Sequence, residues 1–421
     1  MNSEDHPKRA LEGMHVLDLT TDRGWLCGRI LADLGAEVIK IEKPGGDPGR
    51  RIGPFYQDNP EPNNSLYWHA YNLNKLGITL DIEKRDGRKL FHRLLEQSDV
   101  VIESFEPGYM KGLQLDYDPL SQVKSGLIMT SITPFGSDGP LAQHRAHDLE
   151  ILGMGNVLYH QGDIDRPPVR ASLPQSFLHG ALEAAVGTMI AFYFREQTGV
   201  GQHVDASCQE SCATMTTLFR THWEASGTIV LRSGSRSRWR GTKGSGPRVI
   251  FKCKDGLFCY TLFGGAQGAR SNKALVDWIE ENGMPTNGLE KMDWMSFSYD
   301  NIEQEGIERI TRTFGSFFEK HTKEYLYKGA RQKLFMGVPV MDIKDLAEDR
   351  QLEERRYWEK VYQPDLEEEF TYPGPFANMS ETPIRYRYKA PRTGEHNLPI
   401  YRDRLGLSLG GISLLREGGI I

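Results

Sequence analysis

The feature that most constrains the fold is an alternation in the first 150 residues, where short apolar runs are separated by helical stretches and tight turns. HVLDLT (15–20) reads as a buried strand, and a helix follows through 26–34. AEVIKIEKP (36–44) reads as a second strand, closed by the turn GGDPG. ITLDI (78–82), a helix over 87–97, DVVIESF (99–105) and LIMTSITPF (127–135) continue the pattern. Strand–helix–strand order with short turns builds βαβ units, so the chain is predicted to be α/β with a parallel, doubly wound sheet. Ligands of such sheets sit beyond the carboxyl ends of the strands. That selects the loops 21–25, 43–51, 104–111 and 134–147.

Further on, FLHGALEAAVGTMIAFYF (177–194) is apolar nearly all round and reads as a buried helix. A second long helix is expected over 208–226. LRSGSRSRWRGTKGSGPR (231–248) carries five Arg and four Gly, and reads as a linker or a segment that contacts a partner. Residues 249–330 resemble a smaller α+β unit, with strands in VIFKCK and LFCYTLF. The net charge of −6 gives no support for general nucleic-acid binding, although a local positive site for a polyanion remains open. Cys27, Cys208, Cys212, Cys253 and Cys259 include one i, i+4 pair and no second pair at ligand spacing. They read as structural thiols in a reducing compartment, with no metal site. The opening MNSEDHPKRA lacks an apolar core, and no run of about 18 apolar residues is evident, so a cytoplasmic chain without a membrane span is expected.

Three motifs could carry chemistry. GGDPGRR (45–51) is glycine-rich and basic enough to approach a phosphate. The first strand, however, is followed by TTDRGWLCG rather than GxGxxG, so a nucleotide-containing cofactor would be held in another way. GGAQG (Gly264, Gly265, Gln267 and Gly268 with Ala266) is either a plain turn or a mobile flap. RAHDLE (145–150) sets His147 and Asp148 side by side, either for acid–base work or as a helix start. The residues by themselves lead to an α/β protein with a polyanionic ligand.

Several stretches in series resemble the CaiB/BaiF family, the class III CoA-transferases and related acyl-CoA racemases. They are LEGMHVLDLT with LADLGAEVIKIEKPGGDPGR (11–50), NLNKLGITLDIEKRDG (72–87), SDVVIESFEPGYMKGLQLDY (98–117), ITPFGSDGP (132–140), TGVGQHVDAS (198–207) and GEHN (394–397). The resemblance implies a Rossmann-like large domain with a parallel sheet, a smaller α+β domain, and an interlocked-ring dimer. It divides the chain into 1–208 (large domain), 209–248 (helix and linker), 249–332 (small domain) and 333–421 (linker and return to the large domain). CoA contacts carried over from the family fall on Asp22, Arg23, Lys43, Leu73, Asn74, Lys75, Ser104, Phe105 and Arg145, with Lys111 adding charge. GGAQG resembles the family's glycine flap. CoA and acyl-CoA are implied as substrates, with no tightly bound cofactor and with a carboxylic acid as the other reactant.

One departure matters. The family's nucleophile is a carboxylate, and here Gln175, Ser176 and Phe177 occupy its place. The resemblance therefore points to the paired-subunit, benzylsuccinate-type members, in which a homologous chain carries the Asp and succinyl-CoA is the donor. A self-sufficient transferase or racemase using Asp148 or His147 is the alternative, and a CoA-binding scaffold without catalysis is another.

Overall fold

The structure, a computed structural model, describes residues 8–236, 246–299 and 302–421. Six parallel strands form the main sheet: β1 (His15–Asp18), β2 (Glu37–Glu42), β3 (Lys75–Thr79), β4 (Val100–Glu103), β5 (Ile128–Thr133) and β6 (His203–Ser207). Their order is β3-β2-β1-β4-β5-β6, so the winding direction reverses between β1 and β4. The expected α/β class and parallel sheet are what the chain adopts. The central strands are buried along their length because helices cover both faces.

β6 has no counterpart among the strands expected from the sequence. Its HVDAS sequence alternates polar with small residues, as an edge strand does, and has no apolar run. β3 begins at Lys75, three residues before the apolar stretch that marked it, and Lys75 pairs in register with Val38. The other edge, β3, is covered by the C-terminal segment. Asn397 Oδ1 accepts the Thr79 N–H at 2.8 Å, His396 Nδ1 accepts the Gly77 N–H at 3.0 Å, and Tyr401 O–H donates to the Thr79 carbonyl at 2.7 Å. This gives GEHN a structural task, closing a sheet edge.

The helix Ser176–Thr198 corrects two expectations. Its Ala181, Ala184, Ala185, Thr188 and Ala191 are buried, and the helix packs on β5, β6 and the helix Trp25–Asp33. Its large residues Leu182, Val186, Ile190 and Tyr193 lie on the outside, 44–69% exposed. An all-round apolar helix therefore has a small-residue face on the sheet and an uncovered aliphatic stripe. It is also long and apolar enough to cross a membrane by length and composition, with a mean hydropathy of 1.4, against the expectation that no such run exists. In this fold it serves as a sheet-covering helix. The expected long helix over 208–226 is two, Cys208–Met215 and Thr217–Ser226, parted at Thr216.

The chain forms two compact units. The first comprises 1–157, 171–221 and 354–421, and the second 158–170 and 222–353. The second contains the antiparallel sheet β7 (Ile250–Cys253), β8 (Gly256–Tyr260) and β9 (Gly337–Val340). Its core includes Tyr260, Trp278, Phe314, Phe317 and Phe318. β9 lies beyond the expected end at residue 332, because it hydrogen-bonds to β8 from Leu257↔Val340 to Tyr260↔Gly337. Residues 158–170, placed by the reading within 1–208, join the second unit through Asp163. Its Oδ1 accepts the Ser235 N–H at 3.2 Å, and its carbonyl accepts from Arg232 Nε at 3.0 Å.

GGAQG is not a free loop here. Gly264 is the N-cap and Gly265–Gly268 form the first turn of the helix Gly265–Glu281. A Cβ on Gly268 would lie 2.0 Å from the Phe263 carbonyl oxygen, so close backbone approach requires glycine there. Cys27, Cys208, Cys212 and Cys253 are buried and Cys259 half-buried, all as free thiols. Half of the basic segment 231–248, residues 237–245, lies outside the described residues.

Candidate functional site at the reversal of the sheet

The crevice sits where the topology puts it, between the loops that follow β1 and β4. Thr21, Asp22, Arg23, Asp47, Pro48, Ser104, Phe105 and Glu106 line a cleft of about 200 Å³. The two loops are tied together by the Thr21 N–H donating to Ser104 Oγ at 2.8 Å. Arg23 Nη1 donates to Glu106 Oε1 at 2.9 Å, and Arg145 Nε approaches the other oxygen, Oε2, at 3.4 Å. One carboxylate thus gathers two guanidinium groups at the mouth of the cleft. Burial, with Asp47 beside it, pushes the Asp22 carboxyl above the usual range although Arg23 opposes the shift.

The cleft runs toward the start of the helix Ser176–Thr198 through Arg23, whose guanidinium carbon lies 5.3 Å from the Phe177 ring centre. At that helix start Asp148 Oδ1 accepts three donors: the Gln175 N–H at 2.7 Å, the Ser176 N–H at 2.9 Å and the Ser176 hydroxyl at 2.9 Å. Asp148 is 7% exposed and is the first residue of its own helix, Asp148–Met154. It caps the long helix, satisfying amides that would otherwise lack partners. His147 is exposed, and its backbone N–H donates to Glu150 Oε2 at 3.0 Å, so the pair reads as a helix start.

Of the residues expected to bind, Asp22, Arg23, Ser104, Phe105 and Arg145 converge on this crevice. Lys43 stands on a neighbouring loop, its ammonium 2.6 Å from Glu83 Oε1, and Tyr109 donates to the same oxygen at 2.9 Å while its ring lies tilted against Phe105 with centroids 4.5 Å apart. Lys111 lines a separate cavity. Leu73, Asn74 and Lys75 are buried and do not line this cleft. Lys75 is 0% exposed, with Nζ 2.8 Å from Asp18 Oδ2 and donating to the Trp25 carbonyl and Asn72 Oδ1, so its charge is already used. Asn74 is buried, donating to Asp33 Oδ1 at 2.7 Å and accepting the Arg387 N–H, and Leu73 is 0% exposed. Arg50 of GGDPGRR is likewise committed. Its guanidinium makes two bonds to Glu42, at 2.6 and 2.7 Å, and lies 3.6 Å over Trp68.

Sequence reasoning missed Glu106 and the pairing of Arg23 with Phe177. Glu106 follows Ser104 and Phe105 in a loop already selected, so its position was the available signal. Phe177 was noticed only as one of the residues in the nucleophile's place.

A parallel sheet in this order, with a crevice at its reversal where Glu106 gathers two guanidinium groups, defines a doubly wound α/β protein. The chain belongs to CoA-transferase family III, whose profile matches residues 11–397. It is 33% identical over 390 residues to the succinyl-CoA:(R)-benzylsuccinate CoA-transferase subunit BbsE of Thauera aromatica, covering 91% of this chain and 92% of that one. It is 27% identical to the succinyl-CoA–L-malate CoA-transferase beta subunit of Chloroflexus aurantiacus, covering 98% of each. A crystal structure of a CAIB/BAIF family protein from Brucella suis shares the fold, with a TM-score of 0.80 at 24% identity over 94% of this chain and 99% of that one.

Proposed function

We propose that this chain is the nucleophile-deficient subunit of a family III CoA-transferase, with the catalytic aspartate supplied by a homologous partner chain. The enzyme would move CoA from an acyl-CoA donor, of the succinyl-CoA kind, to a carboxylic acid. The observation that carries the reading is the state of positions 175–177. Such transfer needs a carboxylate to attack the thioester carbonyl and form a mixed anhydride, which the released thiolate then converts to an enzyme-bound CoA thioester. Gln175 and Phe177 cannot form an anhydride, and the Ser176 hydroxyl is spent as a donor to Asp148. Asp148 is itself occupied as a cap, which disfavours the reading that makes it the nucleophile.

The crevice supports CoA as ligand. Arg23 and Arg145 are held ready by Glu106, and a diphosphate could draw them from it. The aliphatic stripe on Ser176–Thr198 is a surface that a second chain of the same fold, interlocked with this one, would cover. The reading sets the enzyme in the cytoplasm, among CoA thioesters. Its test is CoA exchange from succinyl-CoA to a panel of carboxylic acids, by the lone chain and by the chain produced with an Asp-bearing homologue. The lone chain is expected to be inactive and the pair active. Turnover by the lone chain would return catalysis to Asp148, His147 or Ser176.

Charge at the crevice gives a separate expectation. Arg145 and Lys43 have side chains 80% and 53% exposed, free to turn toward a phosphate. Arg145→Ala and Lys43→Ala should each weaken CoA binding about tenfold at low salt, and by less as salt screens the interaction. Calorimetry showing unchanged affinity in both variants would remove these residues from the site.

A further inference from the structure

A second cavity, of about 420 Å³, shares Phe105 and Glu106 with the crevice but is built on β4, β5 and β6. That volume suits a small organic molecule. Two of its lining residues are register partners on adjacent strands, Glu103 on β4 and Ser131 on β5, and Asp205 on β6 pairs in turn with Ser131 behind them. Glu103 is 6% exposed, and its Oε2 accepts the Phe105 N–H at 2.9 Å. Ser131 Oγ lies 3.0 Å from His203 Nε2, and the His203 ring stacks on Tyr117 at 5.7 Å. Among the described residues no cation stands within ion-pair distance of Glu103. Three other buried carboxylates near the sheet's carboxyl end each have one: Asp18 has Lys75, Glu42 has Arg50, and Asp47 has Lys40. The walls supply Met110, Met129 and the Tyr117 ring, apolar and polarisable surfaces that suit the body of an organic cation. The rim adds Asp116 and Asp118 against Lys111.

We propose that this cavity is a site for an organic cation with an apolar body, an amine or amidine whose charged end pairs with Glu103. The chemistry is the same whether the cation is a free amine or a lysine or arginine side chain of another protein. The carboxyl itself carries a consequence. Burial, with Asp205 adding to it, pushes Glu103 up to about 7, against hydrogen bonds from Ser131 and Phe105. A cation favours the ionised form, so binding strengthens as pH rises through 7 and expels a proton below it. His203, Asp205, Glu106, Lys111, Asp116 and Asp118 are the other titratable groups around the cavity, and a Glu103→Gln variant separates their contribution.

The test is calorimetry on the full chain with benzylamine and benzamidine, and with benzyl alcohol as the neutral counterpart. The cations should bind about tenfold more tightly to the unmodified chain than to Glu103→Gln at about pH 8, and only the unmodified chain should lose affinity toward about pH 6. A measurement that needs no variant is proton release at about pH 6, read by repeating the titration in buffers of different ionisation enthalpy. Absence of binding by both cations, equal binding of benzyl alcohol, or no proton release would overturn the proposal. If the cations bind the lone chain but not its assembly with a second chain, the natural occupant is a protein side chain. If they bind both alike, it is a free amine.

Discussion

Asp18→Ala is expected to lower the unfolding free energy by about 3–5 kcal/mol, the cost of breaking a buried ion pair by removing one partner. Asp18 and Lys75 are both 0% exposed and 2.8 Å apart. Thr20 donates to the other Asp18 oxygen through its N–H at 2.9 Å and its hydroxyl at 2.6 Å. Gly28 makes the room, because a Cβ there would lie 2.3 Å from Asp18 Oδ2. Without Asp18 the ammonium keeps only neutral acceptors, the Trp25 carbonyl and Asn72, in a site closed to water.

The pH dependence follows from the direction of the shift. Burial works against ionisation of Asp18, but Lys75 and Lys40 outweigh it and hold the carboxyl below its ordinary value. A depressed folded value means that this stabilisation is fully present above the unfolded value of about 4 and is lost as pH falls through the folded one. Urea midpoints of the unmodified chain and of Asp18→Ala should therefore converge in acid. In a double-mutant cycle, Asp18→Ala with Lys75→Met should cost less than the sum of the single changes, since the pair leaves together. Lys75→Met should leave CoA affinity unchanged where Arg145→Ala weakens it. A loss under about 1 kcal/mol for Asp18→Ala would mean that water reaches the site and the pair is not buried.

The sheet was legible because β1, β2, β4 and β5 are buried on both faces, so their apolar runs stand out from any neighbour. β6 was not, since an edge strand carrying His203 and Asp205 has no apolar signature. The crevice was legible for a related reason. The rule that ligands lie beyond the strands' carboxyl ends selects four loops, and Arg23, Ser104 and Phe105 stand on two of them. Lys75 and Arg50 misled because residue type does not tell a cation poised for phosphate from one closed around Asp18 or Glu42. Only burial separates the two, and burial depends on partners distant in sequence, such as the Pro391 carbonyl that accepts from Arg50 at 2.9 Å. The same holds for Ser176–Thr198. Composition reads apolar on all sides, and only the packing shows that alanines meet the sheet while Val186 and Ile190 face outward.

The sharpest consequence of the missing carboxylate is chemical. After incubation with acyl-CoA and borohydride or hydroxylamine trapping, mass spectrometry of the unmodified chain is expected to find no adduct, whereas Ser176→Asp should yield one at the new residue. The position favours this. Residue 176 opens a 23-residue helix, whose N-terminal amides stabilise a carboxylate. Asp148 works against it. Its Oδ1 lies 2.9 Å from the Ser176 hydroxyl, so a carboxyl at 176 would share one proton with Asp148 and be only partly ionised at neutral pH. Replacing Asp148 by asparagine keeps a carbonyl oxygen to accept the amides of residues 175 and 176 but removes the competing charge. The double variant Asp148→Asn, Ser176→Asp should therefore give more adduct than Ser176→Asp alone, and Asp148→Asn by itself none. Glu183 is not a substitute, since it accepts from Ser211 Oγ at 2.9 Å, two turns further along the helix. A trapped adduct on Asp148, Ser176 or Glu183 of the unmodified chain would show that it carries its own nucleophile.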